Sequence, residues 1–263
     1  MVRSLRVHQV LVTLAELFCV VGTLVGVGVL GTRVQESSGG ALAADATLLA
    51  PAGPAFSIWS VIYLGLAAYT VWQWIPGPDR GDRARGTRVL ASASMVLNAL
   101  WLLVTQQNWL WASVAVIVAL LAVLVLLATA VARLARPTLV EGLVVDTTFG
   151  LYLGWVAVAT CANITATLVA EGVQPTPPVA TTVAIAVLVV VALVGVVVAR
   201  AFSRWAIAGA MIWGLAWIAV GRISDEPEST ATASAALAAA GVIALAHGAA
   251  SRRGRLRTPV AVG

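Results

Sequence analysis

The chain has 263 residues, 60% of them hydrophobic and only 10% charged, against roughly 25% charged residues in soluble domains, which makes it an integral membrane protein. Its formal net charge is +5, and all sixteen positive side chains are Arg, so no Lys exists to form the Schiff base of a retinal-binding bundle. The two Cys, Cys19 and Cys161, fall inside apolar runs, where a thiol packs as a small hydrophobe rather than building a disulfide framework.

With about 20 residues needed per bilayer crossing, the apolar runs predict eight helices, at 8–30, 55–75, 89–106, 109–132, 143–170, 179–199, 205–221 and 231–250. The first has a basic start, and "ALA" follows at 41–43. Its apolar run is too long, and that triplet too distant, for a cleaved signal peptide. Every second connection is basic: Arg3 and Arg6 before the first helix, Arg80, Arg83, Arg85 and Arg88 after the second, Arg133 and Arg136 after the fourth. Arg200 and Arg204 follow the sixth, and Arg252, Arg253, Arg255 and Arg257 end the chain. In the alternate connections Arg33 and Arg222 are outnumbered by acids. Positive loops stay cytoplasmic, so the pattern predicts a multi-pass plasma-membrane protein with both termini inside. The positive charge is then topological, not a nucleic-acid footprint, and the tail "SRRGRLRT" also suits contact with anionic membrane lipid.

Polar groups inside spans tend to face the bundle interior. Glu16 lies about 12 Å into the first helix at 1.5 Å per residue, which requires protonation or a partner and makes it the residue to test for proton coupling. Small residues at Gly22 and Gly26 form a GxxxG that suits close packing, within a chain or in a homodimer. In the second helix Phe56, Trp59 and Tyr63 share a face, as do Asn98 and Trp101 in the third. In the fifth, Tyr152, Trp155, Ala159 and Asn163 form a stripe. Converging stripes would line an outward-opening pocket beneath the long 31–54 connection; the competing reading is an interfacial aromatic belt with Asn residues gluing helices together. Trp72, Trp74, Trp109, Trp111 and Trp205, at helix ends, are assigned to the belt. Asp146, near the start of the fifth helix, is favoured there by the helix dipole. The last three helices read as a packing or dimerisation annex. His8 and His247 stand at the ends of the outermost helices, and no motif for a metal or hydrolase site occurs.

At these residues the sequence resembles the TspO/MBR family, the tryptophan-rich sensory proteins related to the mitochondrial translocator protein. The family's second helix opens with Pro, an aromatic, then Trp and Tyr four apart, matching Pro54, Phe56, Trp59 and Tyr63. Its third carries Asn and Trp three apart, matching Asn98 and Trp101, and its fifth the series matching Tyr152, Trp155, Ala159 and Asn163. Leu151 stands where the family usually has Pro, and no cholesterol-recognition pattern follows the fifth helix. The resemblance spans about residues 8–170 and implies an all-α membrane bundle with a five-helix unit there; the three helices over 171–250 are additional to that unit, and a basic cytoplasmic tail over 251–263 follows them. It also implies binding of tetrapyrroles such as haem or porphyrin, or related apolar ligands, at the nine stripe residues, in sensing, stress response or transport. Porphyrin breakdown, proposed for the family, would need Trp-assisted photochemistry or oxidation. The sequence supplies no other catalytic group, so an enzyme is not expected. A proton-coupled transporter and a structural membrane protein without ligand are the alternatives.

Overall fold

The structure, a computed structural model, describes residues 2–75, 81–135, 137–202 and 205–256. It is all-α, with eight helices among the described residues long and apolar enough to cross a membrane. These are α1 (Val2–Gly26), α2 (Ile58–Trp72), α3 (Gly81–Gln106), α4 (Leu110–Ala132), α5 (Leu139–Ala170), α6 (Pro177–Phe202), α7 (Trp205–Ser224) and α8 (Thr230–Leu256). The polytopic bundle expected from hydropathy is therefore the fold.

Helix ends depart from the apolar runs where side chains or turns supply what hydropathy does not see. α1 stops at Gly26 because Gly28 takes φ +83 and its N–H returns to the Val25 carbonyl at 3.0 Å, a reversal that glycine makes without a Cβ clash. α3 begins at Gly81, well before the apolar run, because the cations of its first turns are paired. The Arg83 guanidinium donates to Asp146 Oδ1 at 2.7 Å and to the Ala135 carbonyl at 2.6 Å, and Arg88 Nε donates to Gln73 Oε1 at 2.5 Å. Asp146 thus neutralises a buried Arg of α3 as well as lying near its own helix start. α5 opens on a capping box in which Thr138 and Glu141 satisfy each other's backbone N–H groups. A π-helical turn over Gly142–Thr147 follows, before the regular run from Thr148. The irregularity in this helix therefore precedes Leu151, the position where the resemblance leads one to look for a proline bend.

α1 packs along α3, α3 along α4, and α4 along α5, while α2 leans on α5 and α1. α7 packs along α5 and α8, and α8 along α6. Close approaches rest on missing side chains: a Cβ on Gly65 of α2 would lie 2.5 Å from Thr148 Oγ1, and one on Gly154 of α5 would strike the Ile207 carbonyl of α7. Gly22 and Gly26 are spent in the same way, against Ala99 and Leu102 of α3. The GxxxG of α1 is thus a contact within the chain, not an outer face for a second copy.

The 170/171 boundary falls in the turn after α5, where Gly172 takes φ +92. α7 crosses back over it to pack on α5. Of the basic segment 251–263, α8 includes residues to Leu256, and 257–263 lie outside the described residues, as do Arg80, Arg136 and Arg204. Among the tryptophans assigned to a belt, Trp74, Trp109, Trp111 and Trp205 are exposed, but Trp72 is only 3% exposed. It packs against Tyr69 with ring centroids 6.0 Å apart, so Trp72 is a core residue and not part of the belt.

Candidate ligand-binding cavity

The stripes on α2 and α5 meet ring to ring. Trp59 and Tyr63, one turn apart, stack at 5.2 Å with 13° between planes. Trp59 meets Tyr152 edge to face at 5.8 Å and Trp155 at 6.2 Å, and Phe56 meets Trp155 in the same way at 5.8 Å. Such pairs contribute roughly 0.5–1.5 kcal/mol beyond burial, so the rings hold α2 to α5 with a defined geometry. The missing Cβ of Gly65 lets the two backbones come this close.

Polar groups tie the neighbouring helices to this cluster. The Trp101 indole N–H donates to Asn163 Oδ1 at 2.7 Å, and the Asn163 amide donates to Ser113 Oγ at 2.9 Å, linking α3, α5 and α4. Asn98 Nδ2 donates to Tyr63 Oη at 3.1 Å and to Cys19 Sγ at 3.4 Å, linking α3, α2 and α1. Tyr152 Oη donates to the Ser94 carbonyl at 3.1 Å.

Between these walls lies a narrow cavity of about 50 Å³. Seven of the nine stripe residues line it: Phe56, Trp59, Asn98, Trp101, Trp155, Ala159 and Asn163. Tyr63 lines a second and larger cavity, of about 370 Å³ between α1, α2 and α3, which shares Phe56, Trp59 and Trp101 with the first. Trp59 is thus a partition between the two. Tyr152 lines neither among the described cavities; it is fully buried and supports Trp59.

The 31–54 connection closes one end of the cavity. Val34, Leu42, Ala50 and Pro51 from this segment line the first cavity. It is pinned to α3 by Ser38 Oγ donating to the Thr105 carbonyl at 2.8 Å, and by the Gln106 side-chain amide, whose Oε1 accepts from the Thr32 N–H at 3.0 Å and whose Nε2 donates to the Thr32 carbonyl at 2.9 Å.

Two polar atoms of the lining, although buried, have no hydrogen-bond partner among the described residues: Asn98 Oδ1, an acceptor, and Trp155 Nε1, a donor. Buried polar atoms are rarely left so. Among the described lining residues none is charged and none is His or Cys. Arg33 and Gln35 border the second cavity. Among the described residues no group of three His, Cys, Asp or Glu is placed to hold a metal ion. His247 contacts the Ile243 carbonyl and the Trp205 ring, at the far end of α8.

Glu16 is 7% exposed and its Oε2 has no hydrogen-bond partner among the described residues. The stripes did not reveal Ser113. Its signal was a Ser in α4, a helix whose other polar side chain is Thr129 among apolar residues. The contribution of α7 was also hidden: Trp213 Nε1 donates to the Ala55 carbonyl at 2.9 Å, and the Ala52 N–H donates to the Trp217 carbonyl at 3.1 Å.

A family model described as TSPO-like protein matches residues 9–248, from α1 into α8. No curated protein and no solved structure gives a match. The chain belongs to the TSPO-like protein family.

Proposed function

We propose that this protein is a plasma-membrane receptor for a flat, largely apolar ligand of the tetrapyrrole class, held beneath the 31–54 segment, with both termini on the cytoplasmic side. One observation carries the reading: an apolar, aromatic-walled cavity in which Asn98 Oδ1 and Trp155 Nε1 are the buried polar atoms still without partners. Sites for small ligands combine apolar walls with a few placed polar groups. A macrocycle offers ring faces to Trp59 and Trp155, and polar substituents on its rim to the amide oxygen and the indole N–H. The residues fit the macrocycle better than a metal in it, because a haem iron would find neither His nor Cys among the described lining residues. The ligand carboxylates would lie toward Arg33, at the border of the adjoining cavity. Family membership supports the same class of ligand. The test is a titration of the purified protein in nanodiscs with metal-free protoporphyrin. Saturable quenching of Trp fluorescence is expected, and its absence counts against the reading.

Proton-coupled transport is a second reading, favoured by Glu16, a buried carboxyl with an unpartnered oxygen inside a span. It requires proteoliposome uptake of the same ligand that depends on a proton gradient and is lost in Glu16→Gln. Gradient-independent uptake, or full coupling in that variant, would exclude it.

A further inference from the structure

Arg222 lies near the end of α7 and is 1% exposed. Its guanidinium is spent on backbone carbonyls of two different outer segments. Nη2 donates to the Ala44 carbonyl of the 31–54 segment at 3.0 Å and to the Glu226 carbonyl at 3.3 Å, and Nη1 donates to the Pro227 carbonyl at 2.8 Å. The Arg fork reaches several acceptors at fixed angles, and a hydrogen bond from a charged donor is stronger than a neutral one. The same helix holds the far end of the segment through the Trp217 carbonyl, which accepts from the Ala52 N–H, and the residue just after it through the Trp213 indole, which donates to the Ala55 carbonyl. A Cβ on Gly221 would lie 3.2 Å from the Ala52 nitrogen, so the segment and α7 are in direct contact there. Ala50 and Pro51, between the two holds, and Leu42, just before the first, line the cavity. Burying a cation is costly; here it lies near the Asp45, Asp225 and Glu226 side chains and sits where it fastens the cover of the cavity to the last three helices.

We infer that Arg222 is a positioning residue that latches the 31–54 segment over the cavity, so that α7, through this cation and the Trp213 indole, sets how readily the cavity opens outward. The functional meaning of the latch rests on the ligand-binding reading, but its test needs no ligand. In a background of Cys19→Ala and Cys161→Ala, a thiol is placed in the cavity wall by Ala162→Cys, and its rate of reaction with a polar thiol reagent is followed in purified protein. Arg222→Gln and, separately, Trp213→Phe are expected to raise that rate about tenfold, with Arg222→Lys rising less because it keeps the charge and a donor. Gly209→Ala, on α7 where an added Cβ meets nothing within 4 Å, leaves the rate unchanged. Helical content and elution volume identify any variant that has simply unfolded, and Trp213→Phe keeps the test alive if Arg222→Gln does so. Unchanged rates in folded Arg222→Gln or folded Trp213→Phe overturn the latch. Faster labelling with no porphyrin binding in the parent protein would leave the latch standing and remove the ligand reading alone.

Discussion

Trp101 of α3 and Asn163 of α5 are joined by a 2.7 Å hydrogen bond from indole to amide oxygen, and Asn163 passes the connection on to Ser113 of α4. Three helices therefore meet at one polar junction in the cavity wall. Hydrogen bonds between membrane helices contribute about 0.6 kcal/mol on average and up to about 1.7, and this junction contains two.

Breaking it has a signature. Trp101→Phe and Asn163→Leu are each expected to lower stability by about 1 kcal/mol, and the double variant by less than the sum, since both remove the same bond. Unfolding in a denaturing detergent, followed by circular dichroism, measures the three values. Strict additivity would mean that the two side chains do not interact.

The glycine contacts separate packing from propensity. Gly154→Ala places a Cβ against the Ile207 backbone of α7, whereas Gly209→Ala points into open space. The first is expected to cost about 1–3 kcal/mol, as overpacking does. The second should be neutral or slightly stabilising, because Ala is the better helix former. Thermal melts of the two proteins in one detergent check the contrast, and equal effects would contradict the α5–α7 interface.

Arg83 and Asp146 form an ion pair with the Arg side chain 5% exposed. Asp146→Asn strands a buried cation and is expected to destabilise by about 3 kcal/mol, while Arg83→Met with Asp146→Leu should cost less than that single change. The order of the two melting temperatures decides. A more stable single variant would show that the pair is not what holds the start of α3 to α5.

Much of this was legible in the sequence. Eight spans followed from hydropathy because a bilayer demands long apolar helices. The stripes of α2, α3 and α5 could be phased because helical spacing fixes which side chains share a face. What spacing cannot supply is the rotation of one helix against another. It therefore did not show that Tyr152 stands behind Trp59 rather than in the lining, or that Trp72 turns inward onto Tyr69. The start of α3 was missed because its arginines look like loop charges until Asp146 and Gln73 are seen beside them. The holds of α7 on the 31–54 segment use backbone carbonyls, which carry no mark in the sequence.

The central claim is that the cavity beneath residues 31–54 binds the ligand, and one comparison tests it directly. Metal-free protoporphyrin is titrated into the parent protein, into Trp59→Leu with Trp155→Leu, and into Trp109→Leu with Trp111→Leu, read by porphyrin absorbance so that the number of indoles does not bias the signal. The cavity pair is expected to weaken binding at least about tenfold, with the exposed pair matching the parent. Equal affinity in all three proteins, each shown to be folded, would contradict the account.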